Sequence, residues 1–239
     1  MIIRILRKLG IIKLRSVKLK PYLYDISKLE RIVEYGWVLM NLGDCTTILD
    51  VGCWGTLFPI QLASLGYKVV GIDLREYPYS HPNFRFIRGD VFERGSLLPN
   101  QKFDVIILIS TLEHMGILYH TEHSLYLNVD RRVLSILSRK LYEKGRMLIT
   151  IPVGKFKVLE RHRQPGEDFF SPILPWLKVY DRKAIERIII EPLVLEKIEY
   201  FIERNGKWMP GIEDEAMEFD FPQLVAKIKS IACLKLRRK

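Results

Sequence analysis

The stretch STLEHMGILYHTEH, residues 110–123, gathers the residue types that move protons. It follows directly on the apolar run FDVIILI, so Glu113 and His114 stand at the end of a strand. A carboxyl group beside an imidazole at a strand end is a candidate general acid–base pair, provided an acceptor proton comes within hydrogen-bond reach. His114 has three readings: a catalytic base, a contact to a cofactor or its loop, or a packing residue. His120 is a candidate substrate contact, and His123 follows it. Together these residues lack the ligand spacing of a metal centre, so no metal is expected. Glu34, in VEYGW, either reaches the same region from a preceding helix or is a surface acid.

A second stretch, ILDVGCWGTLFPIQLASLGYKVVGID (48–73), reads as strand, glycine turn, helix, strand and acid. In an open α/β sheet a ligand sits beyond the carboxyl ends of the strands. Asp73, 21 residues after Gly52, can accept hydrogen bonds from both hydroxyls of a ribose. A dinucleotide fingerprint also needs glycines two and five positions after the first, where the backbone meets a pyrophosphate. Trp54 and Leu57 stand there instead. S-adenosylmethionine carries a ribose and no phosphate, and Gly52 with Gly55 permits the turn it needs.

The elements that must position these residues alternate between strand and helix. A helix over residues 21–43 leads into the strand TILDVG. KVVGID and FRFIRGD are the next strands, and FDVIILIS is apolar throughout, as a strand buried on both faces should be. A helix over roughly 124–142 carries Leu127, Leu134, Leu137 and Leu141 on one face. RMLITIP is the fifth strand. Alternation of this kind gives a parallel sheet with right-handed crossovers. RKAIERIII reads as a short helix. LVLEKIEYFIER and KWMP flank Asn205-Gly206, a two-residue hairpin turn. Residues 153–178, rich in proline and aromatic side chains, form a long connection with neither helix nor strand. They contain Phe169, Phe170 and Trp176, and they fit a substrate-covering loop.

In order, ILDVGCWG, VVGIDL, FIRGD, FDVIILISTLEH and LYEKGRMLITIP resemble the motifs of class I S-adenosylmethionine-dependent methyltransferases over roughly residues 30–210. The resemblance extends to uncharacterised prokaryotic members. It implies an α/β fold with a doubly wound, mostly parallel seven-stranded sheet and an antiparallel hairpin late in the chain. It implies S-adenosyl-L-methionine as cofactor. Its contacts would come from Asp50, Gly52, Cys53, Trp54, Gly55, Asp73, Leu74, Asp90, Val91 and Ser110, with Asp73 on the ribose and Asp90 at the adenine amino group. Glu113 and His114 would be catalytic, and His120 and Trp176 would touch the acceptor. The Asn/Asp-Pro-Pro-aromatic motif of nucleobase amine methylation is missing after the fourth strand, where STLEHM stands. No cysteine sits where a nucleophile for cytosine methylation would be needed. A small-molecule, glycan or lipid acceptor, methylated on oxygen or nitrogen, is the expectation. An RNA methyltransferase and a non-catalytic Rossmann-like cofactor-binding protein are the alternatives.

The chain of 239 residues is 48% hydrophobic and carries a net charge of +10. Residues 1–20 hold seven Lys or Arg and no acid, and residues 227–239 hold six and no acid. Ile2, Ile5, Leu6, Leu9 and Ile12 fall at helical spacing, so the first segment reads as a basic amphipathic helix. Such a helix packs on its own domain, lies on an anionic membrane surface, or meets nucleic-acid phosphates. Residues 21–212 are the expected domain, and 213–239 a helical basic tail. No charge-free apolar run of ~20 residues is present to span a membrane. Cys45, Cys53 and Cys233 show no paired spacing, which suits a reducing, cytoplasmic setting, with the membrane surface as a peripheral option.

Overall fold

The computed structural model describes residues 30–92, 101–117, 123–160, 175–223 and 227–239. The basic segment 1–20, His120, Phe169 and Phe170 lie outside the described residues. The chain order is α1 (Arg31–Asn41), β1 (Thr47–Val51), α2 (Phe58–Ser64), β2 (Lys68–Asp73), β3 (Phe84–Arg88), β4 (Phe103–Ile109) and a 3-10 turn (Leu112–His114). There follow α3 (His123–Ser138), β5 (Leu141–Pro152), β6 (Lys157–Glu160), β7 (Pro175–Val179), α4 (Arg182–Ile188), β8 (Leu193–Arg204), β9 (Lys207–Gly211), α5 (Glu213–Met217) and β10 (Ser230–Arg238).

Eight strands make one sheet in the order β3-β2-β1-β4-β5-β10-β8-β9. β1 to β5 run parallel, and the strand order reverses between β1 and β4. That reversal opens a crevice beyond the ends of β1 and β4. Side chains alternate across each strand. On β4, Ile106 and Leu108 join Val133, Leu134, Leu137, Ile185 and Ile188 on one face. Val105 and Ile107 join Trp37, Val38, Phe58 and Leu62 on the other. Each such aliphatic side chain contributes about 1.5–3 kcal/mol on burial. Helices therefore cover both faces and the strands can be apolar throughout. Trp37 Nε1 also donates to Glu199 of β8 at 2.6 Å, which fixes α1 across the sheet.

The expected doubly wound, mostly parallel architecture is present, with eight strands in place of seven. The hairpin through Asn205-Gly206 forms as expected, with Asn205 at φ 53° and Gly206 at φ 80°. Three boundaries differ. The helix expected to reach residue 142 ends at Ser138, and β5 starts at Leu141. Leu141 continues the leucine stripe of the helix, but its backbone registers with Phe103 of β4, and the sheet ladder prevails. The segment 153–178 is not loop throughout, because β6 and β7 pair antiparallel at its two ends.

The expected helical tail over 213–239 is the largest difference. Among the described residues there, Glu213–Met217 alone is helical, and Ser230–Arg238 is a strand inserted between β5 and β8, antiparallel to both. Ile231 and Cys233 face one core and Ala232, Leu234 and Leu236 the other. Its cations are largely engaged. Lys235 and Arg237 pair with Glu196 at 3.8 and 2.5 Å, Lys239 with Glu191 at 2.9 Å, and Arg238 donates to the Leu141 carbonyl at 2.5 Å. No described helix is long and apolar enough to cross a membrane.

Candidate active site

The turn after β1 is built on backbone geometry. Gly52 has φ +79°, and its N–H donates to the Ile72 carbonyl at 2.8 Å. A Cβ at this position would lie 2.4 Å from the Thr111 side chain, so glycine lets the β1 and β4 turns meet. Gly55, at φ +80°, continues the turn towards α2. Trp54 has a role that the degraded glycine pattern did not suggest. Its N–H donates to Asp73 Oδ2 at 3.1 Å, and its ring lies 3.8 Å beneath the Arg75 guanidinium. Arg75 holds Asp73 Oδ1 through its own N–H at 3.0 Å and its Nε at 3.2 Å. A residue that would have crowded a pyrophosphate thus braces the acid at the end of β2.

The other positions expected on this side fall around the same edge. Asp50 is buried, and burial together with the charge on Asp73 pushes its carboxyl up to about 7. Cys53 is buried with its Sγ against Gly71, and desolvation and the two aspartates push its thiol well up, so its side chain is a packing group. Leu74 is 64% exposed just beyond Asp73, an apolar face open at the strand end. Asp90 Oδ1 accepts from the Phe92 N–H at 2.9 Å and closes a turn after β3, with Val91 partly buried against the core.

Beyond β4 the site is built from side chains instead. Ser110 takes a left-handed φ of +42°. Its hydroxyl donates to Glu34 Oε1 at 2.7 Å, and the Thr150 hydroxyl donates to the same oxygen at 2.5 Å. Arg31 donates to the other carboxylate oxygen and to Ser110. Glu34 is therefore no surface acid: it is fully buried where α1 crosses the ends of β4 and β5. Burial of a carboxylate costs several kcal/mol unless donors surround it, and three side chains supply them. The signal was present in the sequence, since Glu34 stands three and four residues before the buried Trp37 and Val38, on the same helical face.

The 3-10 turn places Glu113 and His114 side by side. Glu113 is 3% exposed and its Oε2 has no hydrogen-bond partner. Burial pushes its carboxyl up to about 8, so at neutral pH it carries a proton. His114 Nδ1 lies 2.7 Å from the Trp176 carbonyl of β7. A carbonyl only accepts, so Nδ1 carries the proton and Nε2 keeps its lone pair. Nε2 is 4.0 Å from Glu113 Oε1. The surrounding protein, although the ring edge is open, draws the imidazole down to about 4, with Arg31, Lys178 and Arg75 adding to the shift against the Trp176 hydrogen bond. The imidazole is neutral at pH 7 and able to accept a proton.

Trp176 stands beside His114, with ring centroids 5.8 Å apart and its own ring partly exposed. Two residues along β7, Lys178 is fully buried. It donates to Asp130 Oδ1 of α3 at 2.5 Å and to the Met115 carbonyl at 2.9 Å. Tyr180 donates to Asp130 Oδ2 at 3.0 Å. Burial pushes the Asp130 carboxyl up, to about 6, and the Lys178 ammonium down, each held back by the other's charge. Sequence reading missed this group, since Asp130 lies 48 residues before Lys178 and no motif joins them. Among the described residues, no three His, Cys, Asp or Glu side chains come together as a metal site.

Residues 49–149, from β1 to β5, match the family model of a methyltransferase domain. No curated protein matches the chain. Among solved structures, an S-adenosylmethionine-dependent methyltransferase from Methanosarcina mazei aligns with a TM-score of 0.55 at 13% identity, over 84% of this chain and 96% of that one. The 1,6-didemethyltoxoflavin-N1-methyltransferase of Burkholderia thailandensis, solved with S-adenosylhomocysteine, aligns at 0.53 and 14% identity, over 87% and 77%. The glycopeptide N-methyltransferase MtfA aligns at 0.53 and 11%, over 88% and 91%. At such identities the likeness is one of fold.

Proposed function

We infer that this class I S-adenosylmethionine-dependent methyltransferase, recognised by its motifs, its domain match and its fold, methylates a hydroxyl or amine on a small-molecule, glycan or lipid acceptor. The observation that carries the reading is the convergence at one crevice of the Gly52 turn, the Asp73 carboxylate and a neutral His114 with Nε2 free. S-adenosyl-L-methionine supplies an electrophilic methyl group on a sulfonium.

The chain's residues fit that cofactor. Asp73 accepts hydrogen bonds from a ribose diol once the Arg75 side chain, 60% exposed, gives up its place on Oδ1. Leu74 offers an apolar face beside it for the base. Asp90, with Oδ1 committed to Phe92, keeps its second oxygen for an amino group. On this reading Asp50, the backbone of Cys53 and Trp54, Gly55, Val91 and Ser110 supply the remaining contacts. His114 Nε2 accepts the acceptor's proton, and the hydrogen bond from Nδ1 to Trp176 stabilises the imidazolium that forms. Trp176 offers an aromatic face to the acceptor. The engagement of the β10 cations in ion pairs supports a small acceptor over an RNA backbone, which needs free Lys and Arg.

The test is release of S-adenosylhomocysteine from S-adenosylmethionine, measured with amine and hydroxyl acceptors drawn from glycan and lipid extracts, and with RNA in parallel. The reading expects acceptor-dependent release with the first set. Release with RNA alone, or no cofactor binding at all, would overturn it.

A further inference from the structure

Strand β7 touches the 3-10 turn twice. The Trp176 carbonyl lies 2.7 Å from His114 Nδ1, and the Lys178 ammonium donates to the Met115 carbonyl at 2.9 Å. Met115 directly follows His114, so one contact holds the imidazole itself and the other the backbone next to it. Lys178 reaches Met115 from a fully buried site, where Asp130 is its ion-pair partner, and Asp130 is held in turn by Tyr180. A buried ion pair of this kind is seldom better for stability than apolar residues of similar size. What this pair does accomplish is a fixed ammonium under one carbonyl.

We propose that β7 sets the proton-accepting face of His114: the Trp176 carbonyl accepts a hydrogen bond from Nδ1–H, and Lys178, anchored by Asp130, holds the turn so that this hydrogen bond forms and Nε2 faces the crevice. Lys178 and Asp130 are positioning residues, acting through Met115 and not on the substrate. The inference rests on the reading of His114 as the base, but its geometry is testable without any acceptor. It also gives the segment 153–178 a task besides covering: its returning strand carries the group that fixes the tautomer.

The groups that face His114 are Glu113 on its own turn, Arg31 from α1, Arg75 from the segment after β2 and Lys178 from β7. Removal of Lys178 alone would change both geometry and charge. The double variant Lys178→Met, Asp130→Asn removes one charge of each sign and leaves Tyr180 an amide oxygen to donate to. Long-range 1H–15N NMR of the histidine rings in the full chain then reports tautomer and titration. The chain has five histidines, and the His114 signals are those lost in His114→Gln.

The wild type is expected to show one tautomer with Nδ1–H, still neutral at pH 6. The folded double variant is expected to show a mixture of tautomers and a midpoint higher by about one unit or more, as the ring gains solvent. Should the double variant fail to fold, the wild-type spectrum decides: Nδ1–H alone supports the proposal, and an Nε2–H form or a mixture overturns it. A folded double variant with an unchanged single tautomer also overturns it. Neither outcome depends on methyl transfer, whose failure would appear separately as absent S-adenosylhomocysteine.

Discussion

The two sides of the crevice are held by opposite means. On the β1–β2 side the turn rests on left-handed glycines and on contacts to one acid, Asp73, from the Trp54 backbone and from Arg75 two residues on. Its one stacked cation, Arg75, is largely exposed. On the β4–β5–β7 side the turn rests on buried polar groups: Glu34 among three donors, a protonated Glu113, and the Lys178–Asp130 pair. One side can exchange a contact for a ligand's, because the Arg75 side chain that holds the buried Asp73 is itself largely exposed. The other holds its groups rigidly, because unpairing Glu34 or the Lys178–Asp130 pair leaves a charge in the core. A cofactor end that opens and a reacting end that stays fixed is the division of labour this geometry favours.

The contrast breaks most visibly at Asp130. Asp130→Ala leaves Lys178 as an uncompensated buried charge and should destabilise the chain by about 3–5 kcal/mol, read as a fall in the urea midpoint. A loss under 1 kcal/mol would mean that water reaches the pair. Asp73→Ala should act mainly on the ligand, lowering cofactor affinity ten- to hundredfold, about 1.5–3 kcal/mol, with a smaller loss in unfolding than Asp130→Ala, as the Trp54 and Arg75 N–H groups lose their acceptor. Titration calorimetry with S-adenosylhomocysteine measures it, and unchanged affinity would remove Asp73 from the ribose.

Glu113 offers a test by pH. Its folded carboxyl is raised from 4.5 to about 8, so the native state binds more protons than the unfolded chain between those values. Stability from this group is therefore full below about 4.5 and is lost as pH rises towards 8. His114, lowered from 6.5 to about 4, works in the other sense, its part being complete above 6.5 and lost as pH falls towards 4. Glu113→Gln should consequently be the more stable protein at pH 8, by about 1–2 kcal/mol, with the difference vanishing near pH 5. Unfolding curves at the two pH values decide it. The smallest effect belongs to Arg75. Arg75→Ala removes an exposed ion pair and its stack on Trp54, and should cost at most about 1 kcal/mol in thermal unfolding. A larger loss would place Arg75 with the buried side of the comparison.

These differences also explain what could be read from the sequence. Gly52 and Asp73 were legible because a left-handed turn and an acid at a strand end are local demands that residue type and spacing reveal. The parallel sheet was legible for the same reason, through apolar runs such as FDVIILI. Lys178, Asp130 and Tyr180 were not, since a buried ion pair needs partners brought together only by the fold, and no spacing announces them. Glu34 lay between the two cases: its helical register with Trp37 and Val38 pointed inward, but its charge argued for the surface. β10 misled through composition. Its Lys and Arg suggested a solvated tail, while Ile231, Ala232, Cys233, Leu234 and Leu236 fill both faces of a central strand.

The position of β10 has a consequence for how the molecule is made. Residues 230–238 lie between β5 and β8, so the ladder joining the parallel strands to the β8–β9 hairpin is missing until they arrive. During synthesis, at ~5–20 residues per second, the hairpin emerges seconds before the strand that links it to β5. In that interval β5 and β8 both present unpaired backbone edges beside apolar side chains. The nascent chain must keep these two edges apart, and the addition of β10 closes them in a single late step.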